Sequence, residues 1–229
     1  MYENQILNLI KANNPNDPLN FTLNIINKYC IEKVNESIIK CNKCNISNCG
    51  VKTITYGNIN SKILIISDSV TEEQFNNKKL TLPLLDYDGD TLKMALEVLN
   101  KKINDFYYIN AINCYPHKKE NNKMIERNPL KMEKDNCKYF IDKILDILRP
   151  KVIITLGSVS TNMLLTKKDT IMNIRGIVFK YNNYIVMPTF NPSFFRKAKN
   201  NFDKKTMDMY KEFFLNDLSK AISIAEIDN

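Results

Sequence analysis

Residues 63–66 read Ile-Leu-Ile-Ile and residues 152–156 read Val-Ile-Ile-Thr-Leu, and these two apolar runs decide the fold class. Short runs without polar alternation are typical of parallel strands that are buried on both faces. The segments between them show the helical spacing of apolar residues. Further strands are predicted at 106–113, 177–181 and 184–188, and helices at 90–103, 133–148 and 157–165. A last amphipathic helix is predicted to carry Tyr210, Phe213, Phe214, Leu218 and Ile222. The pattern predicts a three-layer α/β/α sandwich with a mostly parallel central sheet.

The first 40 residues are predicted to form a helical extension in front of a domain at 41–229. Apolar residues recur at helical spacing on both sides of a break from Asn13 to Pro18, where two prolines interrupt the helix. A chain of 229 residues accommodates one α/β domain with such an extension but is short for two domains.

The chain carries a net charge of +8, which allows a polyanionic partner such as nucleic acid. Lys and Asn are abundant throughout, so a general compositional bias is an alternative cause of the charge. No apolar run approaches the roughly 20 residues that span a membrane. Met1 to Ala12 does not have the pattern of a signal peptide, and we expect an intracellular protein.

Six cysteines in a chain without a secretion signal favour metal binding or buried thiols over disulfides. Cys41-Asn-Lys-Cys44 is a CxxC pair that can place two thiolates on one metal. Cys114 follows a predicted strand, and Cys137 lies on a predicted helix. Four thiolates suit either a structural zinc ion or a [4Fe–4S] cluster. Buried cysteines that act as small apolar residues are the alternative.

Several short motifs occur in a fixed order along the chain. They are Tyr56-Gly57, the stretch from Pro83 to Gly89, Asn110-Ala-Ile-Asn-Cys114-Tyr-Pro116, Arg127-Asn-Pro129, Leu156-Gly157, Arg175-Gly176 and Pro188-Thr-Phe-Asn-Pro-Ser193. Together with the CxxC pair, the series resembles the iron–sulfur (family 4) uracil-DNA glycosylases over most of residues 41–218. The resemblance implies a uracil-DNA glycosylase-like fold and a [4Fe–4S] cluster, with zinc as the alternative. The implied ligands are Cys41, Cys44, Cys114 and Cys137.

Three further residues match no ligand position of that family. Cys30 and Cys49 are interpreted as structural thiols. His117 is interpreted as a solvated residue of a basic, Asn-rich insertion at 117–126.

The resemblance implies catalytic roles for Asp68 and Asn191. The sequence from Ser67 to Thr71 takes the place of a Gly-Glu-Ala-Pro-Gly motif, so that Asp68 retains a carboxylate able to position a water molecule. Asn191 replaces a histidine, and its amide can donate to the leaving base. The missing glycines and proline change the expected turn, and capping of the next segment is the alternative role of Asp68.

Five residues are expected to bind the base. Asn110 matches an asparagine that reads uracil, because an amide both donates and accepts; capping of the strand end is the alternative. Leu84 falls where the family has a stacking phenylalanine and offers an apolar contact without an aromatic face. Ser67, Ser69 and Ser193 belong to motifs that line this pocket.

The last motif continues as Phe194-Phe195-Arg196-Lys197, which is predicted to engage the opened duplex. Apolar wedges beside cations suit insertion into the base stack combined with phosphate contacts. Burial of both aromatic rings in the core is the alternative. Ser158 lies at a predicted helix N-terminus and is expected to hold a phosphate through backbone amides.

We therefore expect a monomeric enzyme of base excision repair that hydrolyses the N-glycosidic bond of uracil, or a related deaminated base, in DNA. The altered motifs at 67–71 and Asn191 support a second hypothesis. In it, the glycosylase fold has lost excision and serves as a DNA-binding or replication-accessory subunit with a replication or repair protein as partner. The hypotheses differ in whether bound DNA releases a base.

Overall fold

The computed structural model describes residues 18–77, 80–84, 86–121, 123–165 and 169–227. The described helices are α1 (Pro18–Lys40), α2 (Glu72–Asn76), α3 (Tyr87–Val98), α4 (Lys131–Leu148), α5 (Ser158–Leu165), α6 (Ile171–Ile174), α7 (Ser193–Lys197) and α8 (Lys204–Glu226). The described strands are β1 (Tyr56–Gly57), β2 (Ile63–Ser69), β3 (Tyr107–Ile112), β4 (His117–Glu120), β5 (Lys123–Glu126), β6 (Val152–Leu156), β7 (Phe179–Tyr181) and β8 (Tyr184–Thr189). Short 3-10 helices cover Asn45–Cys49 and Ile103–Asp105.

A six-stranded sheet in the order β1-β3-β2-β6-β8-β7 forms the centre of the molecule. Strands β3, β2, β6 and β8 run parallel, and the edge strands β1 and β7 pair antiparallel with their neighbours. The two apolar runs that predicted the fold lie side by side, with Ile63 opposite Val152 and Ile66 opposite Thr155. The mostly parallel central sheet is therefore confirmed.

Each face of the sheet is covered by its own helices, because alternate strand residues point to opposite sides. Leu64 and Ile66 belong to a core with residues of α1, α4 and α5. Ile63 and Ile65 belong to a second core with residues of α3 and α8. This arrangement confirms the predicted three-layer sandwich.

Helix α1 begins at Pro18, where the predicted break in the N-terminal extension ends. Its residues Ile31, Val34 and Ile38 join the core of the domain. The first part of the predicted extension, residues 1–17, lies outside the described residues, and the domain boundary at residue 40 stays a prediction. None of the helices in the described ranges is both long enough and apolar enough to cross a bilayer.

Local features differ from the predicted elements in several places. Helix α3 ends at Val98 and not at residue 103, and two further differences lie beside the cleft. Helix α3 begins three residues earlier than predicted, because Asp86 caps it by accepting from the Gly89 amide at 3.1 Å. The insertion at 117–126, interpreted as a loop, forms an antiparallel hairpin of β4 and β5. Its four-residue strands, His-Lys-Lys-Glu and Lys-Met-Ile-Glu, have no alternation of apolar and polar residues that would predict strands.

Candidate active site

A cleft of about 410 Å³ opens at the carboxyl ends of β2 and β8. Parallel sheets place their strand-end loops at one edge, where ligands bind, and this volume suits a small molecule. The lining comes from the end of β2, the loop after it and α2, from the start of α3, from the loop after β8 and α7, and from one residue of the hairpin. The predicted site residues that line it are Ser67, Asp68, Ser69, Leu84, Asn191, Ser193, Arg196 and Lys197.

The carboxylate of Asp68, near the end of β2, lies against the first turn of α5. The Ser160 amide donates to Asp68 Oδ1 at 2.8 Å. Burial raises the pKa of Asp68 to about 6, although hydrogen bonds from Ser160 and Val159 and the charge of Lys197 lower it. Asp68 is therefore ionised at neutral pH yet titrates close to it, as a general base should.

Gly157 leaves room for this carboxylate. A Cβ atom at Gly157 would lie 2.3 Å from Asp68 Oδ2. Asp68 thus caps α5, and it occupies the helix N-terminus at which Ser158 was expected to hold a phosphate. Ser158 itself is exposed and does not contribute to the cleft lining.

Asn191 follows β8, and its side-chain amide forms hydrogen bonds with other residues of the chain. Asn191 Nδ2 donates to Leu156 O at 3.2 Å and approaches Ser67 Oγ at 3.5 Å. Asn191 Oδ1 accepts from the Ser193 amide at 2.9 Å, which fixes the entry into α7. The long contact to Ser67 is the weaker of the two donations, so it is the one that a ligand oxygen replaces most readily.

The loop after β2 turns without glycine. Thr71 caps α2 through a capping box, in which Thr71 Oγ1 accepts from the Gln74 amide at 3.3 Å and Gln74 Oε1 accepts from the Thr71 amide at 3.2 Å. Val70 is buried against Tyr115, and Thr71 Oγ1 donates to Asp86 Oδ2 at 2.7 Å. Side-chain hydrogen bonds and a buried valine therefore set the turn that glycines and proline would otherwise set.

Leu84 lines the cleft in an unusual backbone conformation, with φ of 57°. The left-handed region is uncommon for residues with a branched or bulky side chain. A Cβ atom at Gly89 would lie 1.6 Å from Leu84 O, so the glycine permits this close approach. Strained residues of this kind cluster at ligand sites, which fits the expected contact between Leu84 and a base.

Asn110 lies on β3 opposite Ser67 but outside the cleft lining. The residue is buried, and its Nδ2 donates to Thr53 Oγ1 at 3.1 Å. Its Oδ1 has no hydrogen-bond partner among the described residues. An unpaired buried acceptor costs about 1–3 kcal/mol, so this oxygen is available to a ligand donor that reaches it. Its role in reading a base stays a prediction.

The cations of the segment after Ser193 lie at the cleft rim, each beside a carboxylate. Arg196 Nε and Nη2 both donate to Asp88 at 3.1 Å. Lys197 Nζ lies 3.3 Å from both carboxylate oxygens of Glu126. The carboxylate of Asp88 is only 3% exposed, whereas the Lys197–Glu126 pair is open to solvent and contributes little to stability.

Phe194 and Phe195 pack inward in this structure. Phe195 is buried with its ring 5.4 Å from that of Phe214, and Phe194 stacks on Phe190 at 4.9 Å. A role as wedges in DNA requires α7 to move out of this aromatic cluster. That role remains a prediction.

The sequence-based interpretation missed the acidic half of the cleft lining. The carboxylates are those of Glu72, Glu73, Asp86, Asp88 and Glu126, in addition to Asp68. They repel phosphate from the interior, so the cleft favours an uncharged ring inside and phosphates at the rim. The acidic run at 86–90 was a signal for two of them, but Glu126 enters only through the fold of the hairpin.

The four cysteines expected to bind a metal lie in or against the core under α1 and α4, with Cys44, Cys114 and Cys137 buried and Cys41 half-buried. Cys41 and Cys44 follow α1, Cys114 follows β3, and Cys137 lies on α4. Burial raises the pKa of Cys114 to about 12, and the proximity of the other three thiols contributes in the same direction. Burial likewise raises the pKa of Cys137 to about 12.

N–H groups donate to two of these sulfurs. Asn136 Nδ2 donates to Cys44 Sγ at 3.2 Å, and the Asn113 amide donates to Cys137. Such bonds stabilise thiolate ligands and tune iron–sulfur clusters. The donor set thus fits a thiolate-ligated centre in its chemistry. As they stand, no three candidate ligands in the described part of the chain lie close enough to hold a metal ion.

A comparison of the sequence with known families agrees with this fold. The Uracil DNA glycosylase superfamily matches residues 54–219, and the chain belongs to that superfamily. It is 29% identical over 173 residues to the type-4 uracil-DNA glycosylase of Sulfurisphaera tokodaii, which covers 71% of this chain and 74% of the relative. Identity to the type-4 uracil-DNA glycosylase of Thermotoga maritima is 26% over 196 residues, 84% of this chain and 93% of the relative. The Saccharolobus solfataricus enzyme of the same name is 26% identical over 173 residues, 71% of this chain and 76% of the relative.

Proposed function

We propose that this protein is a DNA glycosylase that hydrolyses the N-glycosidic bond of uracil, or a related deaminated base, in DNA. The observation that carries the proposal is the carboxylate of Asp68, which the first turn of α5 holds in a cleft large enough for one base. Superfamily membership and three relatives named type-4 uracil-DNA glycosylase support it.

The geometry supports a separate role for each of these residues of the cleft. Asp68 orients a water molecule toward the sugar carbon and accepts its proton, because its carboxylate is ionised at neutral pH and held by the α5 amides. Asn191 Nδ2 exchanges its long contact to Ser67 for the oxygen of the departing base. Leu84 provides apolar contact to the ring, and Asn110 Oδ1 accepts from the base if the base penetrates below Ser67.

The charge distribution explains how DNA fits this cleft. The carboxylates that line it exclude phosphates, so the extruded base enters while the backbone remains outside. Arg196 and Lys197 lie at the rim, where the phosphates on either side of the extruded nucleotide would pass.

Uracil-containing single- and double-stranded DNA tests the proposal, since alkali cleaves the strand wherever a base has been removed. We expect Asp68→Asn to lower the excision rate by about a hundredfold or more, because the amide still accepts from Ser160 but cannot act as a base. Asp135→Asn makes the same chemical change at an exposed position of α4 and should leave the rate unchanged. A folded wild-type protein that produces no cleavage would overturn the proposal.

A second candidate function is a DNA-binding subunit without excision. It is favoured by the hydrogen bonds of Asn191, whose Nδ2 already donates to Leu156 O and Ser67 Oγ within the chain. This candidate requires salt-dependent binding of DNA by a protein that releases no base. Base release by the wild-type protein rejects it.

We further propose that Cys41, Cys44, Cys114 and Cys137 bind a [4Fe–4S] cluster. The cluster would be structural and would join the segment after α1 to β3 and α4. The expected result is a brown protein that contains iron and acid-labile sulfide in equal amounts, and zinc in their place would contradict it. Cys137→Ser should abolish this content, whereas Cys30→Ser, at a half-buried thiol of α1, should not.

A further inference from the structure

The hairpin of β4 and β5 projects beside the cleft from a firmly held base. The Arg127 amide donates to Pro116 O at 3.0 Å, and Arg127 Nε donates to His117 O at 2.9 Å. The Arg127 guanidinium also forms a two-point ion pair with the buried Glu133. The His117 ring stacks on Tyr115 with centroids 5.8 Å apart. The two strands beyond this base are almost entirely exposed.

The strand register divides the hairpin side chains between two faces. Lys119 pairs with Met124, and Lys118 pairs with Ile125. Directly paired residues share a face, and neighbours along a strand lie on opposite faces. Glu126 lines the cleft and contacts Lys197, so the face that it shares with Lys119 and Met124 is turned toward the cleft.

The outer face carries Lys118, Glu120, Lys123 and Ile125. Lys118 forms an ion pair with Glu120 on the same strand and the same face. Lys119, by contrast, has no ion-pair partner among the residues that the structure describes. Met124 and Ile125 are 38% and 40% exposed, so the two faces present apolar groups of similar accessibility.

We infer that the hairpin is a DNA-binding arm, in which Lys119 contacts a backbone phosphate and Met124 packs against the sugars or bases next to the extruded nucleotide. The acidic lining keeps phosphates out of the cleft, and the DNA backbone therefore crosses the rim between α7 and the hairpin. On the face turned to that path, a lysine meets phosphate and an exposed methionine meets apolar surface. The inference deepens the proposed function and rests on it only in taking DNA as the ligand.

Two double variants of the full chain test the arm, each removing one lysine charge and one apolar side chain from a directly paired position. Lys119→Ala with Met124→Ser alters the inner face, and Lys118→Ala with Ile125→Ser alters the outer face. Affinity for a duplex that contains a stable abasic-site analogue is measured over a range of salt concentrations, since this ligand requires no excision. Circular dichroism and the thermal midpoint establish that both variants fold.

The inner-face variant should bind about tenfold more weakly and show a salt slope reduced by about one, whereas the outer-face variant should change less than about twofold. The single variant Lys119→Arg, which keeps the charge, should retain affinity near that of the wild type. Equal losses of affinity in the two double variants, or no loss in the inner-face variant, would overturn the inference that the hairpin binds DNA. A wild-type protein that binds this duplex but excises no base would overturn the glycosylase proposal. The DNA affinities of the inner-face and outer-face variants could still be compared, because binding requires no excision.

Discussion

Asp68 shows how one side chain can serve both the local structure and the chemistry. The α5 amides and Gly157 hold its carboxylate in place, while burial raises its pKa to about 6. When the pKa of an acid is higher in the folded protein than in the unfolded chain, the protein loses stability as the pH rises from the unfolded to the folded pKa of that acid. The ionised form that the proposed reaction needs is therefore the less stable one.

We expect the single-turnover excision rate to fall as pH is lowered through about 6, because protonation removes the base. Asp68→Asn should show a low rate without this titration. Its thermal midpoint should exceed that of the wild type at about pH 8 and approach it at about pH 4, where Asp68 is neutral. A wild-type rate that stays constant across pH 6 would contradict this assignment.

Gly157→Ala should impair excision in addition to lowering stability. The backbone has φ of +101°, and the new methyl group would lie 2.3 Å from Asp68 Oδ2. Gly50→Ala is a matched control, since Gly50 has φ of +79° but nothing within 4 Å of the added atom. Both variants should lose about 1–3 kcal/mol of unfolding free energy. Only Gly157→Ala should lower the excision rate of the protein that remains folded.

At the scale of elements, an ion pair inside the protein holds the end of β8 against α8. Arg175 Nε donates to Asp217 Oδ2 at 2.8 Å, and Thr189 Oγ1 donates to the same oxygen at 2.7 Å. The Arg175 guanidinium also lies over the Phe213 ring, 4.5 Å from its centroid. Because Thr189 precedes the loop with Asn191 by two residues, this network sets where that loop begins.

Asp217→Ala should lower the free energy of unfolding by about 3 kcal/mol or more, because Arg175 would lose its carboxylate partner in a buried position. Urea denaturation monitored by circular dichroism measures the change. Glu226→Ala removes an exposed ion pair between α8 and Lys101, and it should cost less than about 1 kcal/mol. Similar losses in the two variants would show that the Asp217 network is not a structural link.

The hairpin illustrates why the sequence does not predict some elements. Each strand has only four residues, and their exposed side chains carry no hydrophobic pattern that points to a core. Its orientation depends on Arg127, Glu133 and Tyr115, which lie outside it. The long apolar strands needed no such partners, and the sequence located their ends to within three residues.

At the scale of the whole molecule, the four cysteines connect segments that are distant along the chain. Cys41 and Cys44 lie between α1 and the sheet, and Cys114 and Cys137 lie on opposite sides of the hairpin insertion. A bound cluster would therefore restrain the N-terminal helix and α4 together.

Loss of the proposed cluster should lower the thermal midpoint, because a ligand that binds only the folded chain stabilises it. Cys137→Ser, or removal of iron by a chelator, should produce this shift and increase the exposure of α1 to proteases. Cys30→Ser changes a thiol on α1 and should leave the midpoint nearly unchanged. A wild-type protein whose midpoint does not respond to iron removal would contradict a structural cluster.

The sequence by itself determined the layered fold, the order of the strand-end motifs and eight of the residues that line the cleft. Hydrophobic periodicity is local, and it carries that information without knowledge of any contact. Only the tertiary structure decided that Asp68 caps α5, that Asn110 is covered, that Phe195 is buried and that Glu126 reaches the cleft. These outcomes depend on packing between segments that are distant in the chain, and a local sequence pattern does not predict such packing.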